Sequence, residues 1–579
     1  AYGMFGHVDA GVLHVRPAID MKDPAQERLI RDVTEEVVAL TQKFGGLLWG
    51  EHGKGVRSEF SPRFFGPLYP ALQAVKAAFD PQNQFNPGKI VAPREGRLLT
   101  VDGVPTKGQR DRAIPPEVRA GFDEALHCNG NGACFNWDPD DAMCPSWKGT
   151  RERRHSPKGR AQLLREWLRL LSEQGVDPLA EARDLRGGRG WIRFPARLGA
   201  TLARRRERDF SDEVKEAMDG CLACKSCVGQ CPIKVDVPSF RAKFLELYHG
   251  RYLRPVRHYA VGWIEAMVPW MAKAPALANL ASHSGPGAAL MRAIGLVETP
   301  RLSGLDLGRE LAARGIGMAD AGTLARLPPD ERGASVVIVQ DAFTSFYETR
   351  VLLDLLDFLR LAGIRPWLAP FRANGKPLHV HGFLGAFERL AAANASELNR
   401  LSATGIDLIG LDPSMTLTYR SEYAAALAER NMPRVQLVQE WLAARPDLLP
   451  RAAARRDYQL LPHCTERTTA QPAVGAWGKV FEACGLGLSV LPSGCCGMAG
   501  TYGHEAEHRA MSERIYGLSW ARHVARAGAE GGLLADGYSC RSQVKIIDGI
   551  RLPHPVQALL DALRSGPQAA EHVPVRSSS

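Results

Sequence analysis

Cys221-Leu222-Ala223-Cys224-Lys225-Ser226-Cys227-Val228-Gly229-Gln230-Cys231-Pro232 is the stretch on which the reading of this chain turns. Three cysteines two residues apart let the backbone curl around a cubane and offer it three thiolates from one side. A fourth, three residues on and followed by proline, points away and serves a different cluster. Iron–sulfur clusters need soft thiolate donors, and a zinc knuckle, the competing use of such cysteines, rarely takes four at this spacing. The stretch is therefore read as a [4Fe–4S] motif inside a helical segment.

A crossing cysteine demands a second set, and Cys128-x5-Cys134-x9-Cys144-Pro145 supplies it. On the same template Asn131 stands at the second position, and Cys144 is the crossing ligand. Cys221, Cys224, Cys227 and Cys144 then hold one complete [4Fe–4S] cluster. Cys128, Cys134 and Cys231 hold the other with three thiolates, as [3Fe–4S] or as [4Fe–4S] with a ligand other than cysteine. Paired clusters serve electron relay.

The chain has twelve cysteines, seven between Cys128 and Cys231 and five between Cys464 and Cys540. Without a secretory signal, this clustering favours metal or redox thiolates over a disulfide framework. Cys464, Cys495-Cys496 and Cys540 each follow a predicted strand, and such positions converge at the carboxyl edge of a doubly wound sheet, where ligands bind. Gly494-Cys495-Cys496-Gly497 with an upstream and a downstream cysteine resembles the CCG domain of heterodisulfide reductase-like and glycolate oxidase iron–sulfur proteins. The resemblance implies a possible second metal or cluster site at Cys464, Cys495, Cys496 and Cys540. A vestigial or redox-thiol role stays open, because Gln543 stands where a C-x2-C partner of Cys540 is expected. Cys484, among apolar neighbours, reads as a buried structural thiol.

Strand and helix patterns recur around those cysteines. Ser335–Gln340, a helix over Arg350–Ala362 and Pro366–Ala369 run in the same order as Tyr458–Leu461, a helix ending near Cys484 and Leu486–Leu491. The reading is an internal duplication, with Leu368-Ala369-Pro370 matching Leu491-Pro492-Ser493 and Leu411-Asp412 matching Ala535-Asp536. The first copy has Arg372-Ala373 near the place of the paired cysteines and reads as scaffold. A heterodisulfide reductase-like enzyme would need cysteines in both copies.

At the other end, Gly6-His7-Val8-Asp9-Ala10-Gly11-Val12-Leu13-His14 pairs two histidines, and Gly50-Glu51-His52-Gly53 follows. Two imidazoles and a carboxylate suit a divalent ion such as Zn²⁺. With the turn Phe79-Asp80-Pro81…Asn86-Pro87-Gly88-Lys89, these segments resemble the end of the flavoprotein fold shared by D-2-hydroxyglutarate dehydrogenase, D-lactate dehydrogenase and glycolate oxidase. The resemblance implies metal ligands His7, His14 and Glu51, with His52 as the catalytic base for the substrate hydroxyl, whose pKa a metal would lower. Arg16 stands where the family has asparagine, and its guanidinium is a candidate clamp for a substrate carboxylate. The family's FAD-binding domain precedes these strands, and no G-x-G-x-x-G fingerprint stands in a strand-to-helix context. FAD is thus expected to be bound mainly by an upstream domain that this chain lacks.

At 579 residues, 45% hydrophobic and 23% charged, the chain is sized for roughly four domains at ~150 residues each. The expected fold class is multidomain α/β and α. Residues 1–93 are the partial α+β C-terminal part of an FAD-linked oxidase, and 94–118 a linker. A helical two-cluster ferredoxin-like domain occupies 119–260 and a helical connector 261–333. A duplicated α/β CCG-type domain fills 334–565, with a disordered tail at 566–579. Net charge is +10, with arginine clusters at Arg151–Arg154 and Arg204–Arg208. Without a nucleic-acid motif this reads as solvated helix faces that attract anionic substrates. No apolar run is long enough to cross a membrane, and the expected location is cytoplasmic, with the inner membrane face as a peripheral alternative. The function implied is an FAD- and iron–sulfur-dependent D-2-hydroxyacid dehydrogenase. D-2-hydroxyglutarate is the leading substrate, glycolate or D-lactate an alternative, and a quinone or protein the electron acceptor. Homo-oligomerisation is compatible with this, and a non-catalytic electron-transfer subunit is the rival class.

Overall fold

The computed structural model describes residues 1–49, 55–187, 193–204, 206, 208–427, 431–530 and 532–565, those at 528–530 by backbone alone. The tail expected at 566–579 lies outside the described residues. The chain divides into two compact units, Ala1–Arg119 with Leu168–Val176, and Ala120–Trp167 with Asp177–Ser579.

The first unit opens with an antiparallel hairpin, β1 (Tyr2–His7) and β2 (Val12–Pro17), in which Phe5 faces His14 and His7 faces Val12. Its turn closes through Gly11, whose φ of +59° suits a residue without a side chain. Gly6 sits so close to β2 that a Cβ would meet the Val12 carbonyl at 2.0 Å. The helix Pro24–Lys43 starts where the Asp23 carboxylate accepts from the Ala25 N–H, with proline in the first turn. It buries Val38 against Leu48 and Phe60. The turn expected at Phe79–Gly88 is built on Asp80, whose carboxylate accepts from the Gln84 and Phe85 N–H groups and pairs with Lys76 at 2.6 Å. The stretch read as a linker carries a helical turn, Lys107–Asp111, started by the capping box of Thr106 and Gln109. That local cap went unread because the surrounding composition is polar.

The second unit holds both cysteine regions in one compact body. Its α/β part has two parallel sheets. The first is ordered β4-β3-β5-β6, from β3 (Ser335–Val339), β4 (Arg365–Leu368), β5 (Leu408–Gly410) and β6 (Val435–Leu437). The second is ordered β8-β7-β9, from β7 (Asp457–Leu461), β8 (Gly487–Val490) and β9 (Leu533–Ala535). The crossover helices Thr349–Leu361 and Gln471–Ala483 link β3 to β4 and β7 to β8. Both sheets share one core, in which Ile338, Leu355 and Phe358 join Leu460, Trp477 and Leu534. Parallel strands covered on both faces are continuous apolar runs, and all five residues of β3 are buried.

Strand pairing sets the correspondence of the two sheets. Ile338 pairs with Leu368, as Leu460 pairs with Val490, and Val339 with Gly410, as Leu461 with Ala535. Ala369 therefore matches Leu491, and Leu411 matches Asp536. Both matches stand one residue from those expected, because apolar periodicity alone does not fix strand register. By this register Ala373-Asn374, rather than Arg372-Ala373, stands opposite Cys495-Cys496, and Gly375 opposite Gly497. Those two glycines share a φ of +87°.

Candidate functional site

The Cys221–Cys227 loop bends through two non-glycine residues in the left-handed region, Ala223 at φ +53° and Lys225 at +58°. Such residues cost about 1–3 kcal/mol each and persist where the surroundings over-determine them. The bends turn Cys221, Cys224 and Cys227 into one small cavity whose wall also contains Cys144, itself at φ +36°. Burial pushes the Cys144 thiol up to about 11 and Cys224 to about 12, and holds Cys227 well above the usual range. Burial keeps the thiols of Cys144, Cys224 and Cys227 neutral unless a cationic centre draws their protons off, and an iron–sulfur cubane is such a centre. The donor set thus fits the group. Buried Arg160 braces the wall, with Nε on the Ala217 carbonyl at 2.7 Å, Nη2 on Ser146 Oγ at 2.8 Å and Nη1 3.9 Å from Cys144 Sγ. Buried Lys225 lies 3.7 Å from Asp236 and 3.8 Å from Glu422.

Of the second set, Cys128 and Cys134 are buried neighbours. Burial raises the Cys134 thiol, and Cys128 adds to that shift. Asn131 is engaged locally, its Oδ1 accepting from the Ala133 N–H and its Nδ2 donating to Asn129 Oδ1, both at 2.8 Å. Cys231 is half-buried, its N–H bonded to the Cys227 carbonyl at 3.0 Å. Among the described residues no hydrogen bond joins it to Cys128 or Cys134.

The C-terminal cysteines come together. Cys464, Cys495, Cys496 and Cys540 are all buried and form a continuous chain of sulfur hydrogen bonds in that order. The bond with Cys495 draws Cys464 down to about 7, and bonds with Cys495 and Cys540 hold Cys496 well below the thiol range. Cys495 and Cys540 are held well above it. Four buried thiols brought together in this way are soft donors of the kind a metal centre takes. The flanking glycines are steric necessities. A Cβ on Gly494 would meet the Pro139 carbonyl at 2.2 Å, and one on Gly497 the Ser512 carbonyl at 2.2 Å. Cys484 is fully buried in the shared core.

Cys224 and Cys464 are near enough for the charge of one to raise the pKa of the other, and the Thr465 hydroxyl donates to the Cys224 carbonyl at 3.1 Å. Both cysteines line a cavity that is open at its mouth. It opens at the carboxyl ends of the strands, between the two sheets, and Phe343, Lys376, His381, Asp412 and Tyr538 complete its wall. Sequence reasoning missed these residues. Asp412 stands two residues beyond β5, one place past the match of Asp536. His381 had no sequence signal, being brought in by helix packing alone.

In the first unit the hairpin register sets His7 and His14 side by side, with ring centroids 5.5 Å apart and planes at 88°. The Arg16 guanidinium lies over the Phe5 ring at 4.8 Å. Glu51 and His52 lie outside the described residues. Among the described residues, the carboxylate–imidazole group compact enough for one ion is Glu505, Glu507 and His508, which the sequence reading did not single out. Arg257 pairs with both carboxylates and already offsets one of their two charges.

Residues 1–90 match the family model of FAD linked oxidases, C-terminal domain. The D-2-hydroxyglutarate dehydrogenase of Pseudomonas putida is 52% identical over 97% of this chain and 56% of its own length, and that of Escherichia coli 47% identical with the same coverage. A component of the Escherichia coli anaerobic glycerol-3-phosphate dehydrogenase is 26% identical over 39% of this chain and 59% of that protein. No solved structure matches. The chain spans about half the length of the dehydrogenases it matches. Because the alignments run along 97% of this chain, they give no support to the expectation that it lacks a flavin-binding domain. No described helix is long and apolar enough to cross a membrane. Residues 1–90 thus match an FAD-linked oxidase C-terminal domain, and along nearly its whole length the chain is similar to the bacterial D-2-hydroxyglutarate dehydrogenases.

Proposed function

We propose that this chain serves in an FAD- and iron–sulfur-dependent dehydrogenase that oxidises D-2-hydroxyglutarate to 2-oxoglutarate and passes the electrons to an acceptor. The observation that carries the reading is the 52% identity to the Pseudomonas putida enzyme along 97% of the chain. Flavin and clusters, when bound, supply the two-electron and one-electron chemistry respectively. In this reading His7 and His14, with Glu51, would hold a divalent metal such as Zn²⁺, whose charge would lower the pKa of a substrate hydroxyl, and His52 would take the hydroxyl proton. Arg16 draws in a carboxylate of the diacid. Cys144, Cys221, Cys224 and Cys227 hold one cluster, and Cys128, Cys134 and Cys231 the ligands of another. Cys464, Cys495, Cys496 and Cys540 hold a further metal centre.

The likeness to a glycerol-3-phosphate dehydrogenase component favours a second reading, an electron-transfer subunit without a hydroxy acid site. Anaerobic dye reduction by the flavin- and cluster-loaded protein, offered D-2-hydroxyglutarate, D-lactate and glycolate, separates the two. Turnover with D-2-hydroxyglutarate, lost in His52→Ala and on chelation, is the expected result. Turnover with D-lactate or glycolate instead would reassign the substrate. No turnover with any acid, in protein carrying intact clusters, would favour the electron-transfer reading.

A further inference from the structure

We propose that the cavity between Cys224 and Cys464 binds a two-electron carbonyl acceptor of the quinone class, and that His249, His258 and His381 form the buried path along which protons reach it. The inference rests on the relay reading above, which supplies the electrons.

The larger part of the cavity's wall area is apolar, and Lys376, Asp412, His381, His463 and Tyr538 are among its polar side chains. The cavity lies beyond the carboxyl ends of parallel strands, where small-molecule ligands bind. Cysteines of both proposed metal-binding regions stand in its wall, so an acceptor there is within reach of either. A planar ring with two carbonyl oxygens suits an apolar slot with polar groups at its ends.

Reducing such an acceptor takes two electrons and two protons. Each carbonyl C=O bond becomes a C–O–H single bond as the ring becomes aromatic. Clusters held by these cysteines would supply the electrons one at a time, and the buried histidines beside the cavity offer a route for the protons. His381 lines the cavity and is 3% exposed, and neither of its ring nitrogens has a hydrogen-bond partner. Its ring centroid is 4.8 Å from that of His258, which lies 5.5 Å from that of His249. Both are buried, and His258 Nδ1 is likewise unpartnered.

Three separate helices supply this row. His249 is on Val237–Arg251, His258 on Val256–Gly262, and His381 follows Lys376–Val380. The last is clamped in place, because Arg254 donates to both the His381 and Gly382 carbonyls and Arg241 to that of Val380 at 2.5 Å. Three buried imidazoles bonded to little else are costly as core packing. A row of groups that each bind and release a proton at a ring nitrogen is a proton path.

The charged groups around the row are Arg197, Arg241, Arg254, Arg257 and Lys215. Burial, assisted by these cations, keeps the imidazoles neutral at rest. Negative charge arriving on an acceptor beside His381 offsets them and draws a proton along the row. At the outer end, His249 senses Lys215, whose ammonium pairs with partly exposed Asp219.

The test uses the full chain with its clusters assembled, reduced by dithionite and mixed in a stopped-flow cell with decylubiquinone or with ferricyanide. Visible cluster absorbance follows reoxidation. Ferricyanide takes electrons without protons and so controls for cluster integrity. In His381→Gln and in His258→Gln, reoxidation by decylubiquinone should slow about a hundredfold, the scale of a lost proton donor, while reoxidation by ferricyanide keeps its rate. The wild-type quinone reaction should also slow in heavy water. Equal effects on both acceptors, no effect on either, or failure of decylubiquinone to reoxidise the wild type would overturn the proposal. Absence of cluster absorbance from the assembled protein would overturn the relay reading beneath it.

Discussion

The two parallel sheets of the second unit share the order of three strands, β4-β3-β5 and β8-β7-β9, and differ in what stands at their carboxyl edges. Beyond β7, β8 and β9 lie Cys464, Cys495-Cys496 and Cys540; at the matching places beyond β3, β4 and β5 lie Ala342, Ala373-Asn374 and Met415. In the cysteine half Cys496 bonds to Cys540. In the other half Asn374 Nδ2 donates to the Met415 carbonyl at 3.1 Å, while buried Glu265 accepts from the Asn374 and Gly375 N–H groups at 3.0 and 2.7 Å. One scaffold therefore closes its edge either with thiols that can hold metal or with a hydrogen-bonded polar network. Sheet topology supplies the place, and a few side chains decide its chemistry.

The largest expected effects lie where the thiols are. Cys224→Ser or Cys227→Ser should strip one cluster, roughly four iron atoms per chain, measured by iron and sulfide analysis. Asn374→Ser, at the place matching Cys496, should leave iron content unchanged. Gly497→Ala should destabilise by about 3 kcal/mol or more, because a left-handed residue costs about 1–2 kcal/mol and overpacking adds about 1–3. Gly375→Ala should cost less, since its Cβ would meet the side chains of Leu390 and Phe387 at 3.0 Å rather than a fixed carbonyl. Denaturant melts of both variants rank them, and the reverse order would break the comparison.

A pH effect belongs to the polar half. Burial lifts the Glu265 carboxyl from 4.5 to about 7. Between those values the folded chain binds the proton and the unfolded chain does not, so stability is lost as pH rises through this window. The full contribution is about 3 kcal/mol, and Glu265→Gln should flatten this part of the urea-stability profile. A profile that rises between pH 4.5 and 7 and is unchanged by the substitution would refute the assignment. The smallest effect is Asn374→Ala, which removes a buried donor at about 1–3 kcal/mol and should leave the cysteine half untouched.

Much of this was legible in the sequence. The β3 and β7 runs, their crossover helices and the Pro24–Lys43 helix announce themselves through apolar period and caps. The cysteine spacing brings Cys144 to the Cys221–Cys227 loop, and the glycines around Cys495-Cys496 follow from the crowding there. The register of the two sheets was misplaced by one residue, because strands of three to five apolar residues slide without changing their pattern. His381, Lys376 and Phe343 come together through packing between distant helices and strands, for which no local signal exists. Strand β6 is three residues long and has too little pattern to read.

The most direct test of the account is the metal content of the full chain purified without oxygen, by iron, sulfide and zinc analysis with electron paramagnetic resonance after reduction. The account predicts iron and sulfide with a cluster signal, partly lost in Cys144→Ser and in Cys496→Ser. Zinc in place of iron, or iron retained in full by both variants, would contradict it.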